Sequence, residues 1–114
     1  MLDELEAWQA HLKQENDSLA HRATHDSLTG LPNRAFFEGR LSRALGDIAP
    51  PAKLAVLFID GDRFKEVNDS YGHAAGDAVL TTIAGRIRAQ LRETDLVARL
   101  GGDEFAVLLA PVHS

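Results

Sequence analysis

Two short apolar segments, Leu96 to Leu100 and Phe105 to Ala110, flank Gly101-Gly102-Asp103-Glu104. Glycines and acids between two runs of strand length are the residue types of a tight connection, so this stretch predicts an antiparallel hairpin. A lone hairpin is not stable in water and needs further strands or a helix packed on it. The chain supplies both. Leu54-Ala55-Val56-Leu57-Phe58-Ile59 is a continuous apolar run, which predicts a strand covered on both faces and ending at Asp60. From Ala74 to Leu91, the apolar residues Ala75, Val79, Leu80, Ile83, Ala84, Ile87 and Leu91 fall at spacings that predict an amphipathic helix able to cover the sheet. Arg86, Arg88 and Arg92 lie toward its C-terminal end, where cations suit the helix dipole.

The remaining elements are helical. Pro32 is suited to the first position of a helix that carries Phe37, Leu41, Ala44 and Leu45 as far as Gly46, with a surface loop from Asp47 to Pro51. Residues 2 to about 22 read as a helix in which Leu5, Leu12 and Leu19 recur every seven residues, with Leu2, Gln9, Asn16 and Ala23 on the neighbouring seam. This helix is either solvated on its own domain or a short parallel coiled coil. The leucines favour the second, with Asn16 fixing register. The order is helix, helix, strand, helix, strand, turn, strand: an α/β chain of the α+β kind, with a signalling or coiled-coil helix over 1–23 and a domain over 24–114.

Composition narrows the partners. Seventeen acidic against twelve basic residues give a net charge of −5, which disfavours a DNA or RNA backbone. No cysteine is present, so disulfides and thiolate metal sites are excluded, and a reducing cytoplasm fits. No apolar run is long enough to span a bilayer, and Asp3, Glu4 and Glu6 do not open a signal peptide.

Chemistry concentrates in two acidic pairs: Asp60 and Asp62 at the end of the apolar strand, and Asp103 and Glu104 in the hairpin turn. If the hairpin packs beside that strand, hard oxygen ligands converge as Mg²⁺ or Mn²⁺ requires, and phosphoryl transfer follows as the reaction class. Taken singly, each pair could equally be helix-capping or turn residues. An EF-hand loop counted from Asp60 fails, because Phe64, Lys65 and Tyr71 stand where an acid, Gly and Glu belong. A Walker phosphate loop is absent. Lys65 could supply charge to phosphates, and the backbone N–H groups of Arg63 and Phe64 could open a helix aimed at an anion. Asn68 and Asp77 offer edges that suit guanine, or equally helix caps.

Asp60-Gly61-Asp62-Arg63-Phe64-Lys65-Glu66-Val67-Asn68-Asp69, then Tyr71-Gly72-His73, Gly76-Asp77 and Gly101 to Phe105, together resemble the GGDEF family of diguanylate cyclases. His25 to Arg34 resembles the segment with which that family's domain opens. The resemblance implies a palm-like nucleotide cyclase fold, with an antiparallel-containing central sheet and flanking helices. It also implies condensation of two GTP into cyclic di-GMP and two pyrophosphates by a homodimer in which each half-site carries two Mg²⁺ or Mn²⁺ ions.

Carried over by position, Asp60, the carbonyl of Gly61 and Asp103 would hold the metals, while Asp103 and Glu104 would orient or deprotonate the 3′-hydroxyl. Asn68 and Asp77 would read guanine with His73 nearby, and Lys65 and the Arg63–Phe64 backbone would meet phosphates. Arg92 and Asp95 resemble the family's inhibitory site for cyclic di-GMP, although a helix end followed by a turn accounts for them nearly as well. The N-terminal helix would set the dimer below an upstream sensor in a longer parent chain, which an upstream segment could anchor to a membrane. Gly61 stands where the family usually has a bulky aliphatic residue. The chain ends at Ser114, ahead of the helix and strands in which the family carries basic phosphate ligands, so an incomplete sheet with an open edge is expected. The competing readings are a non-catalytic module that binds GTP or cyclic di-GMP, and an inert dimerisation fragment.

Overall fold

A computed structural model describes residues 3–113. The elements are α1 (Glu4–Thr24), α2 (Arg34–Asp47), β1 (Lys53–Asp60), α3 (Phe64–Tyr71), α4 (His73–Ala89), β2 (Leu96–Gly101) and β3 (Glu104–Val112). The α+β class follows the sequence pattern, with one element more than the periodicity predicts. The helix α3 precedes α4 because Gly72, at φ 91°, ends it, its N–H bonded to the Asn68 carbonyl at 2.9 Å. A residue with a Cβ is strained at that φ, so the apolar pattern downstream belongs to a separate helix.

The predicted hairpin forms from β2 and β3, and β1 pairs with the other edge of β3, giving an antiparallel sheet in the order β1-β3-β2. The central strand is therefore β3, where Phe105, Ala106, Val107 and Leu108 are each no more than 2% exposed. Alternation sorts them by face. Phe105 and Val107 join Leu31, Leu80, Ala84 and Val97, supplied by α4, β2 and the turn before α2. Ala106 and Leu108 join Phe37 and Ala98, supplied by α2 and β2. Complete burial of side chains such as Phe105 and Leu80 contributes roughly 1.5–3 kcal/mol each.

Two local expectations are corrected. The run in β1 is a strand, but it is not covered on both faces: Leu57 is 48% and Phe58 74% exposed. Among the described residues β1 pairs only with β3, and the helices centre on β3 and β2, which leaves Leu57 and Phe58 uncovered. Nor does Pro32 open α2. Asn33 caps that helix by accepting the Phe36 N–H at 3.1 Å, while Pro32 bridges to His25.

Helix α1 starts at an Asp3 cap that accepts the Glu6 N–H at 2.8 Å. It has no buried residue, and Leu5, Leu12 and Leu19 are all exposed. Leu2 of the neighbouring seam lies outside the described residues. Among those described, no helix is long and apolar enough to cross a membrane.

Candidate functional site

The end of β1 and the β2–β3 turn meet at one end of the sheet. Asp60 is paired across the ladder with Glu104, and the Gly61 N–H donates to the Asp103 carbonyl at 3.1 Å. The turn itself favours glycine, since Gly102 has φ 48°. A Cβ on Gly61 would lie 3.1 Å from the Asp103 Cβ and 3.3 Å from its Oδ2. The lack of a side chain at Gly61 thus lets the Asp103 carboxylate lie against the 60–61 backbone.

The two sequence-distant acidic pairs are therefore neighbours. Among the described residues, no hydrogen bond or ion pair occupies the side chains of Asp60, Asp62, Asp103 or Glu104. No three carboxylate or imidazole side chains converge among those residues. The set Asp60, Asp103 and Gly61 carbonyl needs only two carboxylates and one backbone oxygen, all hard donors suited to Mg²⁺ or Mn²⁺. A pocket of about 330 Å³ opens here, with Asp60, Glu104, Phe58 and Arg34 in its wall. Arg34 is a cleft residue that sequence reasoning missed. Its one signal is its place at the start of α2, directly after the capping Asn33.

The second group of predicted residues lies on α3 and the start of α4. Asp60 and Asp62 do not cap α3: its N-cap is Arg63, in the left-handed region at φ 62°, with no side-chain cap hydrogen bond. A non-glycine residue there is uncommon and leaves the first N–H groups of α3, including that of Phe64, without a side-chain acceptor. Lys65 is exposed in that first turn, His73 is the first residue of α4, and Asp77 is exposed one turn further on. The Asn68 side chain crosses to α4, where Gly76 admits it: a Cβ at Gly76 would collide with its Oδ1. That Oδ1 is buried without a hydrogen-bond partner. A buried polar atom left unpaired is costly and marks a place where a ligand donor fits.

Arg92 and Asp95 behave differently. The Asp95 side chain is 4% exposed and takes Arg92 Nε at 3.0 Å, Nη2 at 2.7 Å and the Arg92 backbone N–H at 2.9 Å. Arg92 Nη2 also donates to the Pro111 carbonyl at 3.0 Å. The Arg92 hydrogen bond holds the Asp95 carboxyl below the usual aspartate range and raises the guanidinium in turn. The pair lies beyond the end of α4, on a pocket of about 440 Å³ that His25 and Arg88 also line.

The family model described as "Diguanylate cyclase, GGDEF domain" matches residues 23–114. The chain belongs to the GGDEF diguanylate cyclase family. Over its whole length it is 75% identical to the diguanylate cyclase TpbB of Pseudomonas aeruginosa strain UCBPP-PA14, of which it spans 26%. The solved GGDEF domain of TpbB from strain PAO1 is 77% identical, with a TM-score of 0.76 over 79% of this chain and 53% of that one. The coiled coil and GGDEF domain of DgcB from Caulobacter crescentus, solved in complex with c-di-GMP, is 31% identical, with a TM-score of 0.84 over 95% of this chain and 56% of that one. The chain therefore spans about a quarter of the curated relative and about half of the solved domains.

Within this GGDEF chain the structure brings together Asp60, Gly61, Asp103 and Glu104 at the sheet end, Asn68 and Gly76 across the α3–α4 corner, and Arg92 with Asp95. The wall of the 330 Å³ pocket contains Asp60 and Glu104, while Lys65, Asn68, His73 and Asp77 stand outside it.

Proposed function

We propose that the protein carrying this chain condenses two GTP into cyclic di-GMP and two pyrophosphates, each half-site contributing one nucleotide. One observation carries this reading: the Gly61–Asp103 hydrogen bond and the Asp60–Glu104 pairing juxtapose two acidic segments far apart in sequence. In each half-reaction the 3′-oxygen of one GTP bonds to the α-phosphorus of the other as the bond to pyrophosphate breaks. Asp103 and Glu104 orient the attacking hydroxyl and accept its proton. Asp60, Asp103 and the Gly61 carbonyl are the oxygens suited to Mg²⁺ or Mn²⁺, two ions per half-site. When bound, such ions acidify the hydroxyl and neutralise charge on the phosphates.

Asn68 and Asp77 take the guanine edge, with His73 beside them. The orphaned Asn68 Oδ1 supports this, because a guanine N–H satisfies it. The left-handed Arg63 and the uncapped start of α3 support a phosphate contact at the Arg63 and Phe64 N–H groups, with Lys65 adding charge. Arg92 and Asp95 form the product-inhibition site, and the DgcB complex with c-di-GMP is consistent with a product site on this fold.

Residues 1–23 act as a signalling helix and 24–114 as part of the cyclase domain. Exposed Leu5, Leu12 and Leu19 on α1 suit a homodimer that sits below an upstream sensor, in a protein whose cyclase faces the cytoplasm. The protein, given GTP and Mg²⁺, is expected to release pyrophosphate and cyclic di-GMP. Asp103→Ala is expected to reduce this by about a hundredfold or more with folding retained. A folded dimer that binds GTP but forms no product would overturn the reading in favour of a regulatory module.

A further inference from the structure

Arg99 is a charged residue on β2, between Ala98 and Leu100, with its side chain only 15% exposed. Its Nη1 donates to both carboxylate oxygens of Asp26, at 3.0 and 3.2 Å. Its Nε and Nη2 donate to the Gly102 carbonyl at 3.1 and 2.9 Å. One guanidinium thus bridges the segment before α2 and the hairpin turn that bears Asp103. Arginine suits this task because its planar fork grips two acceptors at fixed angles, which an ammonium cannot do.

Both ends of the bridge are anchored differently. Asp26 is fixed: its Oδ2 accepts the Thr29 N–H and hydroxyl, each at 2.8 Å. Burial opposes its charge, but the Thr29 and Arg99 hydrogen bonds prevail and hold the carboxyl below the usual range. The segment around Asp26 is tied to the last turn of α1, since the Asn33 N–H donates to the Thr24 carbonyl and Asn33 Nδ2 to the Ala23 carbonyl, both at 2.9 Å. The other end is intrinsically soft. Gly102 has wide backbone freedom, and its carbonyl belongs to the peptide that leads into Asp103. Holding that carbonyl sets the plane of the peptide and therefore the direction in which Asp103 departs.

We propose that Arg99 is a positioning residue for the acidic turn, fixing the Gly102–Asp103 peptide and referring it through Asp26 to the base of α1. The proposal rests on the cyclase reading above for its kinetic consequence. Its structural content is independent of that reading. Asn68 and Asp77 lie on α3 and α4, which this bridge does not touch, so capture of guanine is separate from alignment of Asp103. A change in how α1 leaves the domain reaches Asp103 along this bridge.

The test uses the full protein with Arg99→Lys, Arg99→Ala and Asp26→Asn, and two measurements. In steady-state turnover of GTP with Mg²⁺, both Arg99 variants lower kcat by roughly ten- to a hundredfold while KM for GTP stays within about threefold. Asp26→Asn, which keeps an acceptor for Arg99, lowers kcat less. In hydrogen–deuterium exchange, Arg99→Lys accelerates exchange at Gly101–Phe105 and leaves Asn68–Asp77 unchanged. A kcat kept within about threefold in Arg99→Lys, or unchanged exchange at the turn, overturns the proposal. A parallel loss of kcat, rise in KM and general acceleration of exchange assigns Arg99 a purely structural role and overturns it too. Wild-type protein that forms no cyclic di-GMP refutes the cyclase reading instead, and the exchange result then decides the positioning claim alone.

Discussion

Two turns of this domain carry aspartates, and the fold uses them in opposite ways. The Asp95 side chain is almost fully covered and takes three hydrogen bonds from Arg92. Its charge is already spent on the protein. At the other end of the sheet, the Asp60, Asp103 and Glu104 side chains have no hydrogen bond or ion pair among the described residues, although the backbone crowds them together. Their placement comes from the ladder and the turn, and among the described residues none of their side chains contributes a bond to the fold. The contrast separates acids that hold the structure from acids that the protein leaves without a partner, the ones proposed above to meet a cation.

The largest expected effect tests the unpaired cluster. Asp60→Asn and Asp103→Asn should each lower cyclic di-GMP formation by about a hundredfold or more. The thermal midpoint should stay near that of the unsubstituted protein, because no hydrogen bond or ion pair among the described residues is lost. A variant that unfolds in calorimetry would place Asp103 with the structural acids and break the comparison.

Between the extremes lies Asn68, whose orphaned Oδ1 rests on Gly76. Gly76→Ala drives a methyl into that oxygen and should cost about 1–3 kcal/mol in denaturant unfolding, in the range of overpacked cores. It should also raise KM for GTP more than it lowers kcat, since the displaced group binds and does not react. An unchanged KM would remove Asn68 from the guanine site.

At the paired acid the ordering of effects reverses. Asp95→Ala should lower the thermal midpoint, leave initial turnover near wild type and abolish inhibition by added cyclic di-GMP. Retained inhibition would leave the pair a structural brace alone.

The smallest effect is on acid stability. Asp26 and Asp95 both have depressed carboxyl pKa values in the folded chain. Such groups contribute stability above the unfolded-state pKa and lose it as pH falls toward the folded value, so the loss begins below about pH 4. Arg92→Ala should shift the onset of acid unfolding upward, as followed by circular dichroism.

The hairpin was legible because glycine chemistry and apolar flanks are local signals, and the acidic pairs because one closes an apolar run and the other sits in the expected turn. The helix α4 was legible from its period. What escaped depends on contacts between distant residues. The Asp26–Arg99 bridge joins positions 73 residues apart, and its only trace in the sequence is one arginine in an apolar strand. The exposure of Leu57 and Phe58 on β1 escaped because an apolar run does not say what covers it, and burial among the described residues falls instead on Phe105–Leu108. Arg34 escaped because only the packing of α2 places it on the cleft. The separate α3 was hidden in a polar octet whose end depends on the backbone of Gly72.

The claim that Asp60 and Asp103 serve one site is tested most directly by a double-mutant cycle on Mn²⁺ binding, read by electron paramagnetic resonance with a non-hydrolysable GTP analogue present. If the two carboxylates share a cation, Asp60→Asn and Asp103→Asn are strongly coupled, and the double variant binds scarcely worse than either single one. Independent, additive losses, or affinity unchanged in both single variants, would contradict a shared metal site.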